Sequence, residues 1–347
     1  MADAPLETLL RPFEQGLLPW PDASTRVLFL RARDGWPVQR LRGENLQVTQ
    51  PFKPEAERLE LSGFNVVDET AALTGEFDLI LLLPPRSREE ARALYANAAQ
   101  RLAPDGRIVA CVANNEGAKS AQSDLAALMG AVSSDTKNKS RVFWSAPRSR
   151  ATVDEVLLAS WASLDAVRIQ KGSGLRTRPG IFSWEHTDPA SELLVAHLPE
   201  GIAGDVADLG AGIGFLGVEL LRRSNRIRVL DSYEAQASAI ELAEANVRDV
   251  ATDTTLSFHW ADVTRGLQRD YDFIITNPPF HAISRDGRPD VGQEFIRVAA
   301  KHLKRGGRLL MVANRHLPYE QVLGEAFASV DVLGEGKGFK VILATRQ

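Results

Sequence analysis

Short apolar runs recur along the chain, and each stops at residues that cannot continue a strand. Phe77-Asp78-Leu-Ile-Leu-Leu-Leu83 runs into Pro84-Pro85, and Val206-Ala207-Asp208-Leu209 runs into a glycine-rich turn. Tyr271-Asp272-Phe273-Ile274-Ile275-Thr276 runs into Asn277-Pro278-Pro279-Phe280. Runs this short and this apolar predict buried strands. Ile227–Tyr233 and the short stretch around Phe258 predict two more. Between them lie segments with helical character: Phe215–Arg222, Ala239–Asn246, and Ala190–His197, the last opened by Asp188 as N-cap and Pro189 at the first helical position. Strand and helix alternate, so the expected class is α/β.

The pattern occurs twice. Phe77–Pro85 parallels Tyr271–Pro279, and Arg101-Leu102-Ala-Pro-Asp105-Gly106-Arg107 parallels His302-Leu303-Lys-Arg-Gly306-Gly307-Arg308. Each is followed by Val-Ala-Asn, at Val112–Asn114 and Val312–Asn314, with a slip of one residue. A chain of 347 residues has room for two domains, and the repeat predicts one fold present in two copies. The copies differ at two places. The second has Asp208-Leu-Gly210-Ala211-Gly212-Ile-Gly214 where the first has only Arg26–Gly35, and Asn277 where the first has Leu83. The expected domains are 1–160, a degenerate copy, and 161–347, the chemically equipped one. Lys171–Gly180 carries dense turn signals and serves either as a linker or as the turn of a hairpin opening the second domain.

Composition narrows the class. The chain is 44% hydrophobic and 25% charged with a net charge of −4, ordinary for a globular protein and unlike a wholly basic nucleic-acid binder, though a local basic patch is allowed. One cysteine, Cys111, excludes an intrachain disulfide. No apolar run reaches membrane-spanning length, and the N-terminal residues lack the basic and apolar regions of a signal peptide, so the cytoplasm is expected. The six histidines all lie after position 185 without metal-ligand spacing, so no metal is expected.

Four motifs carry candidate chemistry. Gly210, Gly212 and Gly214 let backbone approach a ligand at a helix N-terminus. Such a turn serves NAD, S-adenosylmethionine or none; Asp208 just before it and the Gly-x-Gly-x-Gly spacing favour S-adenosylmethionine, whose ammonium Asp208 would accept. An acid at the end of the next strand would take the ribose hydroxyls. Asp231 and Glu234 both stand there, and counting back from the following helix favours Glu234. Asp262, after the strand that follows, is placed to read an adenine amino group. Asn277-Pro278-Pro279-Phe280 comes last. The prolines stiffen the exit from the strand. The Asn277 side chain and the Pro278 carbonyl then offer two acceptors to an amino group, and Phe280 offers a flat face to the ring that carries it. All four motifs fall at C-terminal strand ends, where open α/β sheets bind ligands.

Asp208–Gly214 together with Asn277–Phe280 resembles class I S-adenosylmethionine-dependent methyltransferases that modify an amino nitrogen. The Asn-Pro-Pro-Phe-His form, the degenerate first copy and the chain length resemble the bacterial ribosomal RNA small-subunit methyltransferase C family. Gly180–Ser183, Asp188, Ser191–Leu194 and the tail from Phe339 to Gln347 add to that likeness. The resemblance implies two tandem Rossmann-like class I methyltransferase domains, the N-terminal one degenerate. It also implies N2-methylation of a guanosine in 16S rRNA, with the RNA or the 30S subunit as partner and a monomeric enzyme. Ala211 departs from the family, which often has cysteine there, and the ribose acid stays open between Asp231 and Glu234. His281 is a candidate substrate contact.

Positive charge for RNA is sought in Lys137, Lys139 and Arg141, with Arg148 and Arg150, interleaved with Phe143 and Trp144; Lys171, Arg176 and Arg178 form a second cluster. Three rivals remain at this level: an adenine-N6 or protein-glutamine methyltransferase, which shares Asn-Pro-Pro-aromatic; a large-subunit guanine-N2 enzyme; and a ribosome-assembly factor that keeps the fold without the chemistry.

Overall fold

The computed structural model describes residues 3–43, 45–67, 75–279, 289–317 and 319–347. The chain divides into two compact units, Met1–Ala166 with Arg178–Gly180, and Val167–Thr177 with Ile181–Gln347.

The first unit carries β1 (Val27–Leu30), β2 (Leu46–Thr49), β3 (Val66–Val67), β4 (Phe77–Leu82), β5 (Leu102–Ala113), β6 (Val132–Lys137) and β7 (Ser140–Ser145). Among the described residues they form one sheet in the order β3-β2-β1-β4-β5-β7-β6. It is parallel up to β5 and antiparallel through β7 and β6.

The second unit opens with a hairpin, β8 (Arg168–Ile169) and β9 (Arg176–Thr177), so Lys171–Gly174 is its turn rather than a linker. Then come β10 (Gly204–Leu209), β11 (Ile227–Glu234), β12 (Thr255–Trp260), β13 (Tyr271–Thr276), β14 (Leu303–Asn314), β15 (Ser329–Gly336) and β16 (Phe339–Thr345). Their order, β12-β11-β10-β13-β14-β16-β15, repeats that of the first sheet strand for strand.

The repeat extends to fine detail. β5 and β14 each have twelve residues and the same succession of buried and exposed positions. Both ladders slip at the same point, between Phe77 and Leu79 in one and between Tyr271 and Phe273 in the other. A glycine makes room for each slip. A Cβ on Gly106 would lie 2.5 Å from the Phe77 carbonyl, and one on Gly307 would lie 3.1 Å from that of Tyr271. Asp78 and Asp272 each accept a backbone amide, from Arg26 and Asp205 respectively, both at 2.8 Å.

Helices cover both faces of each sheet, which explains why the strands read as unbroken apolar runs. In β13, Phe273 and Ile275 join one buried cluster with Val206, Leu230 and Leu310. Ile274, between them, joins the opposite cluster with Ala207, Leu309 and Met311. Each such side chain contributes about 1.5–3 kcal/mol by leaving water. Of the strands that end in the candidate motifs, β10, β11 and β13 are buried along most of their length, and β12, at the sheet edge, is only half-buried. Among the described residues, no helix is long and apolar enough to cross a membrane, and no cluster of His, Cys, Asp and Glu could hold a metal ion.

Candidate active site

β10 ends at Leu209, and the chain turns through Gly210, Gly212 and Gly214, all in the left-handed region at φ 72°, 55° and 83°. The amides of Gly210 and Ala211 donate to the Tyr233 carbonyl at the end of β11, at 2.8 and 3.0 Å. Two of these glycines do different work. At Gly212 an added Cβ would meet nothing within 4 Å, so this point of the turn is an open cradle. At Gly214 a Cβ would lie 3.0 Å from both Ala243 Cα and Val247 Cγ2, so glycine lets the helix Phe215–Arg223 pack closely on the helix Ala237–Arg248. Asn246, on that second helix and buried, donates to the carbonyls of Ile213 and Arg176, both at 2.9 Å, and accepts the Arg176 amide at 2.8 Å. One side chain thus ties the glycine turn to strand β9. Sequence reading missed Asn246, whose only signal was an amide on the apolar side of a helix.

The acids separate clearly. Glu234, at the end of β11, accepts the Gly212 amide through Oε2 at 2.8 Å and the Gln236 amide through Oε1 at 2.9 Å. Burial pushes its carboxyl above the ordinary value against the pull of the Gln236, Gly212 and Ala235 amides. Asp231 lies inside the strand, fully buried, bound by the Tyr271 hydroxyl at 2.7 Å and by Arg269 Nε at 3.1 Å. Of the two ribose candidates, Glu234 touches the glycine turn and Asp231 belongs to a buried tyrosine and arginine cluster.

Asp208 is fully buried. Its Oδ2 accepts the Gly217 amide at 3.2 Å, inside the first turn of the helix after the glycines, and its Oδ1 has no partner among the described residues. Burial pushes its carboxyl up to about 7, with the Gly217 amide opposing and the charge of Glu234 adding. Asp262 caps a short 3-10 turn, accepting the Thr264 amide at 2.9 Å and its hydroxyl at 2.7 Å through Oδ1.

Asn277 follows the last residue of β13. Its Nδ2 donates to Asp188 Oδ2 and to Ser191 Oγ, both at 2.8 Å. Asp188 Oδ2 also accepts the Ser191 amide at 2.8 Å, capping the helix Pro189–Ala196. Both amide hydrogens of Asn277 are spent, so the group that remains is the acceptor Oδ1. Pro278 is buried and Pro279 exposed. Phe280 and His281 lie outside the described residues. The sequence identified Asp188 as a cap, but not as the partner of an amide in another motif.

The family model of the methyltransferase small domain matches residues 172–343. A curated relative from Shewanella pealeana, named ribosomal RNA small subunit methyltransferase C, is 31% identical over 270 residues, covering 76% of this chain and 76% of its own length. The chain belongs to the ribosomal RNA small subunit methyltransferase C family. The family's Escherichia coli K12 protein is 30% identical over 283 residues, covering 80% of this chain and 79% of its own. A solved structure described as T. thermophilus 16S rRNA N2 G1207 methyltransferase (RsmC) in complex with AdoMet and guanosine superposes with a TM-score of 0.81 at 25% identity. It covers 99% of this chain and 92% of that one.

The register of the two sheets shows what this RsmC-family chain lacks in its first copy. Leu30 pairs with Leu82 as Leu209 pairs with Thr276, so Leu83 stands at the place of Asn277 and Arg31 at the place of Gly210. Leu83 is buried. Arg31 holds the left-handed φ of 55° that suits a glycine, and its guanidinium bonds Glu90 at 2.6 Å. A side chain and its ion pair follow β1 where the second copy has an open turn.

The structure divides the residues of the basic cluster by exposure and partner. Phe143 and Trp144 are buried in the sheet, so neither can stack on an RNA base. Arg148 donates through Nη1 to the carbonyls of Ala99 and Leu102, and Arg141 through Nη1 to Gln122 at 2.7 Å, all neutral acceptors that leave the charges unpaired by any described carboxylate contact. Arg176 pairs with Asp249 and Arg178 with Asp165. Lys137 and Lys139 are exposed, at the turn between β6 and β7.

Proposed function

We propose that this protein transfers a methyl group from S-adenosylmethionine to the exocyclic N2 of a guanosine in 16S rRNA. The observation that carries the reading is the oriented amide of Asn277: with both N–H groups bound, Oδ1 is an acceptor held ready at a C-terminal strand end. Membership of the RsmC family, and a structural relative whose description names AdoMet and guanosine, support the same nitrogen.

The residues present fit the cofactor. Gly212 leaves an open cradle, and Glu234 keeps unused lone pairs on both oxygens beside it. The buried Asp208 Oδ1 lacks a partner. Gly210, Gly212 and Gly214 would admit the methionine portion, Glu234 the ribose, Asp262 the adenine amino group, and Asp208 the region of the ammonium. S-adenosylmethionine supplies an activated methyl group: the N2 lone pair forms the new C–N bond as the C–S bond breaks, the electron pair leaves on sulfur, and the amine proton goes to solvent. That chemistry needs no metal, because the sulfonium is already the electrophile.

The protein's own part is electrostatic and positional. The guanine N2 lone pair is delocalised into the ring and becomes localised as the nitrogen turns cationic. Asn277 Oδ1 and the Pro278 carbonyl accept its two hydrogens and favour that charge more in the transition state than before it. Phe280 would stack on the base, worth about 1–3 kcal/mol, and His281 would touch the nucleotide. A paired base must be flipped out to reach such a site. Lys137 and Lys139 would hold RNA phosphates on the degenerate domain. The enzyme would work as a cytoplasmic monomer on 16S rRNA or the 30S particle.

Transfer of tritiated methyl to unmodified 16S rRNA and to 30S particles, followed by nucleoside analysis, tests the reading. The expected product is N2-methylguanosine. N6-methyladenosine, or label in protein, would replace it with one of the rival chemistries.

A further inference from the structure

We infer that Asp188 and Ser191 are positioning residues that fix which face of the Asn277 amide meets the substrate. The inference deepens the proposed N2-methylation and rests on it. An asparagine presents an acceptor on one side and a donor on the other, and turning the side chain over exchanges them. Only the acceptor serves a substrate amine. Here Nδ2 lies 2.8 Å from Asp188 Oδ2 and 2.8 Å from Ser191 Oγ. Turned over, the amide would set Oδ1 against the Asp188 carboxylate, two acceptors at hydrogen-bond distance. A carboxylate tolerates one orientation and rejects the other, which a neutral acceptor such as a lone hydroxyl would not do.

The carboxylate is itself held. Asp188 Oδ2 accepts the Ser191 amide at 2.8 Å as the cap of Pro189–Ala196. Ser191 is buried, and Ala190 and Leu194 of that helix join a core cluster containing Val206, Phe273 and Ile275, so the clasp is referred to the same strands that carry the site. The negative charge has a second effect. Donation to an anion draws electron density toward Oδ1, the atom that faces a nitrogen gaining positive charge. The benefit grows as the reaction proceeds, so it should appear in kcat more than in substrate binding.

The test uses the full chain, tritiated S-adenosylmethionine and 16S rRNA. Asp188→Asn keeps a good N-cap and an acceptor for Nδ2 but removes the charge, so kcat should fall about tenfold with KM for both substrates and the melting temperature nearly unchanged. Asp188→Ala combined with Ser191→Ala frees the amide, and kcat should fall about 100-fold or more. Asn277→Asp alone brings two carboxylates together and should be essentially inactive. The double variant Asn277→Asp/Asp188→Asn returns one donor and one acceptor to the pair in exchanged order, and should regain at least about tenfold over Asn277→Asp. A merely structural role produces neither that rescue nor a loss confined to kcat. Wild-type kcat in Asp188→Ala/Ser191→Ala, or a double variant no better than Asn277→Asp, overturns the inference. A wild-type enzyme that methylates some other amine overturns the functional reading instead, and the exchange experiment then runs on that amine.

Discussion

Asp208→Asn should stabilise the unliganded protein at and above neutral pH and lose that advantage in acid. Asp208 is fully buried, with one oxygen on the Gly217 amide and the other without a partner among the described residues. Burial, reinforced by Glu234 and opposed by the Gly217 amide, moves its carboxyl from 3.8 to about 7. The folded state therefore holds a proton that the unfolded chain has released between those two values. Stability falls as pH rises through that window and is level above it; a gap of about three units corresponds to about 4 kcal/mol. Asparagine keeps an acceptor for Gly217 and never ionises, so it escapes the loss. Urea unfolding of both proteins from about pH 4 to pH 8 measures the difference, which should be near zero at the acid end and reach about 2–4 kcal/mol at the other. A difference that does not vary with pH would refute the assignment. Calorimetry supplies the functional half. If the cofactor's ammonium engages Asp208, binding near pH 6 releases a proton from the wild type and none from Asp208→Asn. Equal proton release from both would leave Asp208 as a buried helix cap only.

Three further outcomes follow from the same geometry. Asn246→Ala strands the Ile213 carbonyl and both backbone groups of Arg176, and should cost about 2–4 kcal/mol in urea unfolding; a loss below about 0.5 kcal/mol would remove Asn246 as the tie between turn and hairpin. Glu234→Gln sets an amide group toward backbone donors and should weaken S-adenosylmethionine binding about 10- to 100-fold by calorimetry, whereas Asp231→Asn should lower stability with little change in affinity; the opposite pattern would give the ribose to Asp231. Lys137→Glu with Lys139→Glu should reduce the dependence of log affinity for 16S rRNA on log salt by about two, and an unchanged slope would exclude this turn from the RNA surface.

What the sequence revealed was what local chemistry writes locally. A glycine turn after a strand, an acid at the end of the next strand and Asn-Pro-Pro-Phe after a third are contiguous signals, and their order placed them on one edge of one sheet. The duplication was legible because each copy repeats the same stop residues. The clasp on Asn277 was not, because Asp188 lies 89 residues earlier and nothing in its own segment points to an amide so far away. Asn246 was hidden for the same reason, 33 residues from Ile213. The burial of Phe143 and Trp144 was hidden for a different reason. They sit beside basic residues in sequence, but β7 pairs with strands on both sides and is buried at Val142, Phe143 and Trp144. Adjacency in a strand inside a covered sheet says little about shared access to a ligand.

The two copies also separate architecture from chemistry within a single chain. Both keep a Pro-Pro exit after the fourth strand of their sheet, the slip in the following ladder, and the aspartate that receives a backbone amide. Those features answer to the sheet, since each ends a strand or accommodates a neighbour. Glycine at 210 and an oriented amide at 277 occur in the second copy, while their places in the first hold Arg31 and the buried Leu83; the place of the acid Glu234 holds Gln50. Arg31 keeps a left-handed backbone that glycine would adopt without strain, and its side chain closes on Glu90. The prolines, present in both copies, do not by themselves set the second apart; what does is the residue before them, an amide whose two N–H groups are taken by Asp188 and Ser191 and whose acceptor, with the Pro278 carbonyl, is left for the proposed amine.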